Sequence, residues 1–471
     1  MRGVWCSVPV IFLTRPPLLG EVSRRNRNKN DHQLPNTQVM KLLFLAHRIP
    51  YPPNKGDKIR SYHQLRALAE RGHEVHLLAF ADDPRDLGYQ VDLAKSCASV
   101  EVVPLNPQRA KLKSITNLFG KRPLSLGYFG SRKMRGLVRD KCAAENIDAV
   151  FVYSSTMAQY VPREMVSRTV VDLVDVDSEK WRDYARNRHA PLSWLYEMEF
   201  RRLRNYEHEI VARHAHTILT TPREAAHLNR VDEFTRRARL RTITNGVDLK
   251  HYRPEPWRIS LLDKMPIGER QWFADPAAPR LVFTGARDYY ANVEGVRWFV
   301  EDVLPLIRRR EPHAQFLIVG SNPTDEVKRL GQQRGVVVTG RVDDVRPYLL
   351  AATACVVPLR IARGVQNKVL EAMAAGRAIA ATPEAVAGLN VADDDQLLLG
   401  ETPHKLAEAV VRLVRDEQLR ARLGAEARSF VETEHDWTPL LQRFVELIEG
   451  VGARHGNGVG ADARSRSSAG W

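Results

Sequence analysis

The sequence predicts an α/β protein of two doubly wound parallel-sheet domains. Three observations carry this reading. Short apolar runs alternate with helical patterns along the chain, as βα units require. The alternation is interrupted between residues 248 and 279, where Pro254, Pro256, Pro276 and Pro279 mark a linker. The chain is 471 residues long and 44% hydrophobic, which suits two full globular domains.

Strands of the first half are expected at 41–46, 74–80, 99–105, 148–154, 168–174 and 216–221. Between the first two, Ile59, Tyr62, Leu65, Leu68 and Ala69 form one face of a helix that Arg71, Gly72 and His73 close. The charged segment from Pro191 to His214 is also helical in pattern. Strands of the second half are expected at 281–285, 315–320, 336–340, 354–359 and 378–382. Its first helix sets Val296, Phe299, Val300, Val303, Leu304 and Ile307 on one face. The expected boundaries are a disordered extension over 1–39, a first domain over 40–247, a linker over 248–279 and a second domain over 280–434. A closing helix over 435–450 and a Gly, Ser and Arg-rich disordered tail over 451–471 complete the chain. Met40 opens the first strand, so the functional protein is expected to be able to start there.

Composition narrows the function. The longest early apolar run, Val8 to Leu13, falls far short of the ~20 residues a membrane span needs. The four cysteines, Cys6, Cys97, Cys142 and Cys355, have neither disulfide nor zinc spacing, which fits a reducing cytoplasm. A net charge of +15 calls for an anionic partner: nucleic acid, acidic lipid or a phosphorylated substrate. No nucleic-acid-binding motif accompanies it. Ten Lys or Arg against one acid between Pro107 and Lys141, interleaved with Leu118, Phe119, Leu124, Leu126, Tyr128 and Phe129, suit either an anionic membrane surface or a solvated face.

The most informative segment runs from Ala362 to Gly376, a polar glycine loop followed by a helix between two strands. It places Gly364, Gln366, Asn367 and Lys368 at the carboxyl end of a strand, where open α/β sheets bind ligands. Helix-start amides and Lys368 suit phosphate oxygens, and Glu371, one turn on, suits a ribose diol. In the first half, Gly56 and Asp57 stand in a loop made positive by Lys55, Lys58 and Arg60, a second candidate phosphate seat. The run from Asp172 to Trp181 offers Asp175 and Asp177 as cleft carboxylates or as a metal-binding pair, or else Asp177 or Ser178 as a helix N-cap. Gly285, Arg287, Asp288 and Asn292 open the second half in the equivalent place, and Asn245 to Asp248 reads as a turn at the domain junction. His214 and His216 lack a third ligand for a metal.

Taken together, RGHEVHLL, NGVD, the FTG opening of the second half, GRVDDVRPYL and VLEAMAAG resemble glycosyltransferase family 4, over roughly residues 40 to 450. The strings DLVDVDSEKW, RVDDVRPYL and PLRIARGVQNKVLEAMA look like its branch associated with exosortase and PEP-CTERM exopolysaccharide clusters. The resemblance implies a GT-B fold, with the nucleotide-sugar donor on the second domain, the acceptor on the first and the closing helix returning to the first. It implies a retaining transfer to a lipid-linked or polysaccharide acceptor without a metal or other cofactor. The expected location is the cytoplasm, at the inner face of the membrane.

The chain departs from the family pattern in places. Arg363 stands where the first Glu of a pair spaced eight positions apart is usual, the second being Glu371. Ala286 and Asn292 stand near the usual Arg and Lys of the diphosphate loop, making Arg287 and Lys368 the expected substitutes. Asp175 or Asp177 is the nearest counterpart of the family's cleft His. The expected catalytic set is therefore Asp175, Asp177, Arg363 and Lys368. Two other readings are a sugar-nucleotide 2-epimerase and a non-catalytic scaffold on the same fold.

Overall fold

The structure, a computed structural model, describes residues 38–456 apart from 54, 187, 229–230, 256–262, 264, 266, 274, 276–277 and 287–288. The expectations for residues 1–37 and 457–471, and those for Arg287 and Asp288, lie outside the described residues.

Two parallel sheets form the frame. The first contains β1 (Lys41–Ala46), β2 (Glu74–Ala81), β3 (Ser99–Pro104), β4 (Ala149–Tyr153), β5 (Thr169–Val174), β6 (His216–Leu219) and β7 (Leu240–Thr242), in the order β3-β2-β1-β4-β5-β6-β7. The second contains β8 (Arg280–Thr284), β9 (Gln315–Val319), β10 (Val336–Val338), β11 (Ala354–Val357), β12 (Ile379–Ala381) and β13 (Leu398–Leu399), in the order β10-β9-β8-β11-β12-β13. Each sheet reverses its winding beside its first strand, between β1 and β4 and between β8 and β11. Helices cover both faces, so the central strands are buried on both sides and read as unbroken apolar runs. On β1, Leu42, Phe44 and Ala46 enter one core and Leu43 and Leu45 the other, as a period of two dictates. The edge strands β7 and β13 were not expected; at three and two residues they carry no periodic signal.

Seven helices matter for the cleft: α1 (Gly56–Glu70), α2 (Pro107–Ser114), α3 (Asp177–Arg186), α4 (Leu192–Arg213), α5 (Tyr290–Trp298), α6 (Asn367–Ala374) and α7 (Trp437–Gly456). The last runs six residues beyond the expected boundary at 450. Its apolar face, Leu440, Phe444, Val445, Ile448 and Val451, completes the core between β1 and α1, with Phe444 set edge-on to Phe151 at 4.9 Å. The linker is not free chain either, for Met265 and Phe273 are buried in the second core.

The chain crosses between the domains twice, and the crossings lie side by side. Val247 N donates to His435 O (2.9 Å), and His435 Nδ1 pairs with Asn245 O (2.7 Å). Between them Gly246 lies under the Trp437 indole, where a Cβ would come within 2.5 Å of the ring. Arg60 of α1 secures this junction from below. Its guanidinium is 1% exposed and donates to Asp172 Oδ2 (2.8 Å), Thr244 O (3.0 Å), Asn245 Oδ1 (3.0 Å) and Ile243 O (2.9 Å). Gln64 adds a bond to the same Asp172 oxygen (2.6 Å).

Removing one partner of a buried ion pair strands the other. Arg60→Ala is therefore expected to cost about 3–5 kcal/mol, read as a lowered denaturation midpoint in urea.

Candidate active site

The second-domain wall forms at the reversal between β8 and β11. Gly285 ends β8 and lies against the side chains of Asn292 and Lys368. Lys368 Nζ donates to Asn292 Oδ1 (2.8 Å) and stands 5.3 Å from the Phe283 ring centroid, while Asn292 Nδ2 donates to Ala286 O (2.6 Å). Three residues along α6, Glu371 accepts a hydrogen bond from Tyr252. Arg428 holds the tyrosine's segment in place through the carbonyls of Leu249, Tyr252 and Ala374. Lys368 and Glu371 keep some surface open to the cleft, yet protein surrounds each closely enough to penalise its charge. Burial lowers Lys368 to about 8 against the pull of Glu371. It raises Glu371 to about 7 against Lys368 and the Tyr252 bond. The amides of Asn367 and Lys368 precede the first bond of α6, Val369 N to Gln366 O (2.9 Å), and suit an anion.

Two neighbours are already engaged. Gln366 Nε2 donates to Arg363 O (2.8 Å) and closes the loop on itself. Asn367 Oδ1 accepts from Asn245 Nδ2 (3.1 Å), so the Arg60 junction reaches the start of α6, and Gly56 faces Asn367 across the cleft.

The first-domain wall is acidic. Asp175 follows β5 and accepts from Thr220 Oγ1 (2.7 Å). Burial, helped by Glu224 and Asp177, pushes its carboxyl up to about 7. Gly364 (φ 55°) lies on this carboxyl: a Cβ there would be 2.0 Å from Asp175 Oδ1, so only glycine lets the two walls meet. Asp177 is the first residue of α3; Ser178 does not cap that helix, because Glu207 takes both its amide (3.1 Å) and its hydroxyl.

Two expectations need correction. Arg363 does not face Lys368 and Glu371 but turns to the first domain. Its Nε (2.9 Å) and Nη2 (2.7 Å) both bond Asp183 Oδ2 of the first domain, with Glu179 at 3.7 Å and Glu224 at 4.0 Å. A wall carrying this many buried carboxylates draws the guanidinium across the cleft. The phosphate seat expected around Gly56 and Asp57 is not formed either. Lys58 turns inward to Asp86 (2.7 Å), Arg60 is consumed at the junction, and Asp57 faces Arg48 (2.9 Å) and His47 (3.6 Å). Burial opposes the charge on Asp57, but His47 and Arg48 outweigh it and hold the carboxyl well below the usual range.

Sequence reasoning missed Tyr252, Asp183 and His47, and gave Asn245 no more than a turn. Asn245 stood in a noticed motif; the others carried no local pattern.

Residues 58–246 match the family model described as a glycosyl transferase 4-like domain, and residues 278–416 match glycosyl transferases group 1. A GDP-mannose-dependent alpha-(1-6)-phosphatidylinositol monomannoside mannosyltransferase of Mycobacterium tuberculosis is 27% identical over 229 residues, 45% of this chain and 56% of that protein. A GDP-mannose-dependent monoacylated alpha-(1-6)-phosphatidylinositol monomannoside mannosyltransferase of Corynebacterium glutamicum is 29% identical over 158 residues, 31% of this chain and 42% of that one. The chain thus spans about half the length of the curated relatives it matches. Among solved structures, sucrose-phosphate synthase from Thermosynechococcus elongatus superposes with a TM-score of 0.65 at 18% identity, over 88% of this chain and 100% of that one. Anabaena HepE in complex with UDP and glucose gives 0.63 at 16%, over 87% and 100%. At such identities the structural likeness speaks for the fold. With a glycosyltransferase model matched on each sheet and the two sheets arranged as in these structures, the chain belongs to the GT-B glycosyltransferases.

Proposed function

We propose that the protein is a retaining hexosyltransferase that moves a sugar from a nucleoside-diphosphate sugar to a lipid-linked or polysaccharide acceptor. Its setting is the synthesis of an exopolysaccharide or other cell-surface glycan, in the exosortase-associated branch its motifs resemble. The observation that carries this reading is the pair Lys368 and Glu371 on one face of α6, at the reversal point of the second sheet. Lys368, steadied by Asn292, and the helix-start amides meet the diphosphate; Glu371, oriented by Tyr252, accepts from the ribose hydroxyls. Stabilising the departing diphosphate is the main catalytic term, and the acceptor hydroxyl attacks from the face it leaves. No protein nucleophile is needed. The relatives named for GDP-mannose and phosphatidylinositol monomannoside, and HepE with its UDP, support such a donor and a lipid-linked acceptor.

Arg363 has no part in leaving-group stabilisation in this reading, since Asp183 holds it; it closes the cleft. Transfer runs without a metal.

No helix among the described residues is long and apolar enough to cross a membrane. We place the enzyme in the cytoplasm, peripheral on an anionic membrane. Leu112, Ile115 and Phe119, 71%, 52% and 92% exposed, stand on and beside α2 among Arg109, Lys111 and Lys121. Arg202 of α4 fixes this segment through the carbonyls of Asn117 (2.9 Å) and Leu118 (3.2 Å).

Replacing the ribose acceptor should weaken nucleotide binding: Glu371→Gln is expected to lose roughly ten- to hundredfold in UDP or GDP affinity by calorimetry, and unchanged affinity would remove the assigned role. Affinity should also follow pH as a bell. It rises through about 7 as Glu371 ionises and falls above about 8 as Lys368 loses its proton, and EDTA should leave the profile unchanged. Phe119→Asp should abolish sedimentation with phosphatidylglycerol vesicles at low salt and leave nucleotide binding intact; unaltered sedimentation would refute the membrane placement.

A further inference from the structure

At the amino end of the first sheet, on the rim away from the cleft, two carboxylates and an imidazole converge. Glu74 opens β2, His76 follows two residues later on the same face, and Glu145 directly follows the helix Arg132–Ala144. One ligand atom from each of the three lies within 4.8 Å of the other two. The register brings them together. His76 stands beside Leu43 of β1, on the face where Met134 and Val138 of that helix pack, so the end of the helix comes to the start of the strand.

Two neighbouring acids alone do not make a metal site, because a lysine can balance them. Lys41 does this from β1: its Nζ is 3.2 Å from Glu145 Oε2 and 3.7 Å from Glu74 Oε1. The imidazole is what the lysine leaves unaccounted for. His76 is 3% exposed, and its Nε2 makes no hydrogen bond although Glu74 Oε1 is 3.4 Å away. Nδ1 pairs with Ser99 Oγ (2.9 Å), which fixes the ring. With Nδ1 donating to that hydroxyl, Nε2 turns a bare lone pair toward a carboxylate. Two acceptors so placed repel each other unless a cation stands between them, and a buried nitrogen left unpaired is costly.

The spacing and the donor set fit a metal ion. Zinc takes histidine nitrogen and carboxylate oxygen at about 2.0–2.2 Å in a tetrahedron, whose neighbouring ligands then stand roughly 3.3–3.5 Å apart. The gap between Nε2 and Glu74 Oε1 is 3.4 Å. The Glu145 and Lys41 side chains, 31% and 40% exposed, have room for the carboxylate to swing inward and the ammonium to move out to water. Two carboxylates and a neutral imidazole cancel the charge of a divalent ion. Calcium and magnesium take oxygen ligands, so the nitrogen selects a transition metal. Lys141, a further cation facing the ring, is drawn toward Glu101 (3.7 Å).

We propose that Glu74, His76 and Glu145 bind a divalent transition metal, zinc by this donor set, with water in the fourth position, and that the ion ties the helix Arg132–Ala144 to the start of β2. The site stands apart from the transferase chemistry: Asp175 and the cleft lie at the other ends of the strands.

The test uses the full chain without a polyhistidine tag, cleared of metal with EDTA, dialysed, and titrated by calorimetry with zinc chloride. A single zinc should bind per chain, and magnesium or calcium chloride should not displace it. Loss of an outer partner of a metal ligand already costs roughly ten- to hundredfold in affinity, so Glu145→Gln, Glu74→Gln and His76→Asn should each weaken zinc binding at least tenfold. Ser99→Ala, which frees the ring, should weaken it roughly tenfold. Lys41→Met, which removes the competing ammonium, should tighten it. Zinc should raise the melting temperature of the unaltered chain and not that of Glu145→Gln, a variant at a partly exposed position that keeps the test open if His76→Asn fails to fold. The proposal is overturned if no zinc binds, if magnesium or calcium displaces it, or if Glu145→Gln and Lys41→Met bind zinc like the unaltered chain, which would mean adventitious zinc on other histidines only.

Discussion

The cleft depends on one buried guanidinium. Arg60 lies inside the first domain, yet two of its four hydrogen bonds go to the carbonyls of Ile243 and Thr244 and a third to the Asn245 side chain, where the chain leaves that domain. Asp172 balances its charge and in turn fixes the end of β5 through the Val174 amide (2.9 Å), one residue before Asp175. Asn245, oriented by Arg60, passes the constraint to Asn367 and the start of α6. A single desolvated charge thus sets the relation between the acidic wall, the domain junction and the start of α6. Burying it is tolerable because Asp172 balances its charge and four hydrogen bonds engage its three nitrogens.

The electrostatics of the cleft follow from crowding. Asp175, Glu371 and Lys368 have all been moved toward neutrality by the protein around them, so the cleft holds polar groups whose charge changes near physiological pH. Such groups interact strongly with a diphosphate or a ribose because water no longer screens them. Arg363 completes the balance from the other domain: the acids gathered around α3 would be costly together, and its guanidinium reaches over to offset them.

Much of the frame was legible in the chain. The central strands were found because burial on both faces forces unbroken apolar runs, as in Ala149–Tyr153 and Arg280–Thr284. Lys368 and Glu371 were singled out because a glycine loop entering a helix is a local pattern, and the fold sets both on α6 at the reversal of the second sheet. The short edges β7 and β13 gave no such run. What stayed hidden was every relation between residues far apart in sequence. Lys58 and Arg60 looked like surface cations of a phosphate loop, and only the fold reveals that Asp86 and Asp172 wait behind them. Arg363 looked like a donor contact because it sits in the right loop; the carboxylates that claim it lie 139 to 184 positions earlier, and no spacing along the chain could announce them.

The two interdomain crossings, joined at Val247 and His435, act as one pivot rather than two tethers. A body held at one pivot opens like a book and does not slide like a drawer. The Arg363–Asp183 contact then behaves as the book's clasp, bonded by a fork of two nitrogens on a single carboxylate oxygen. The clasp lies between side chains and the spine between backbone groups, so the contact farther from the chain crossings is the one a single side-chain substitution can remove.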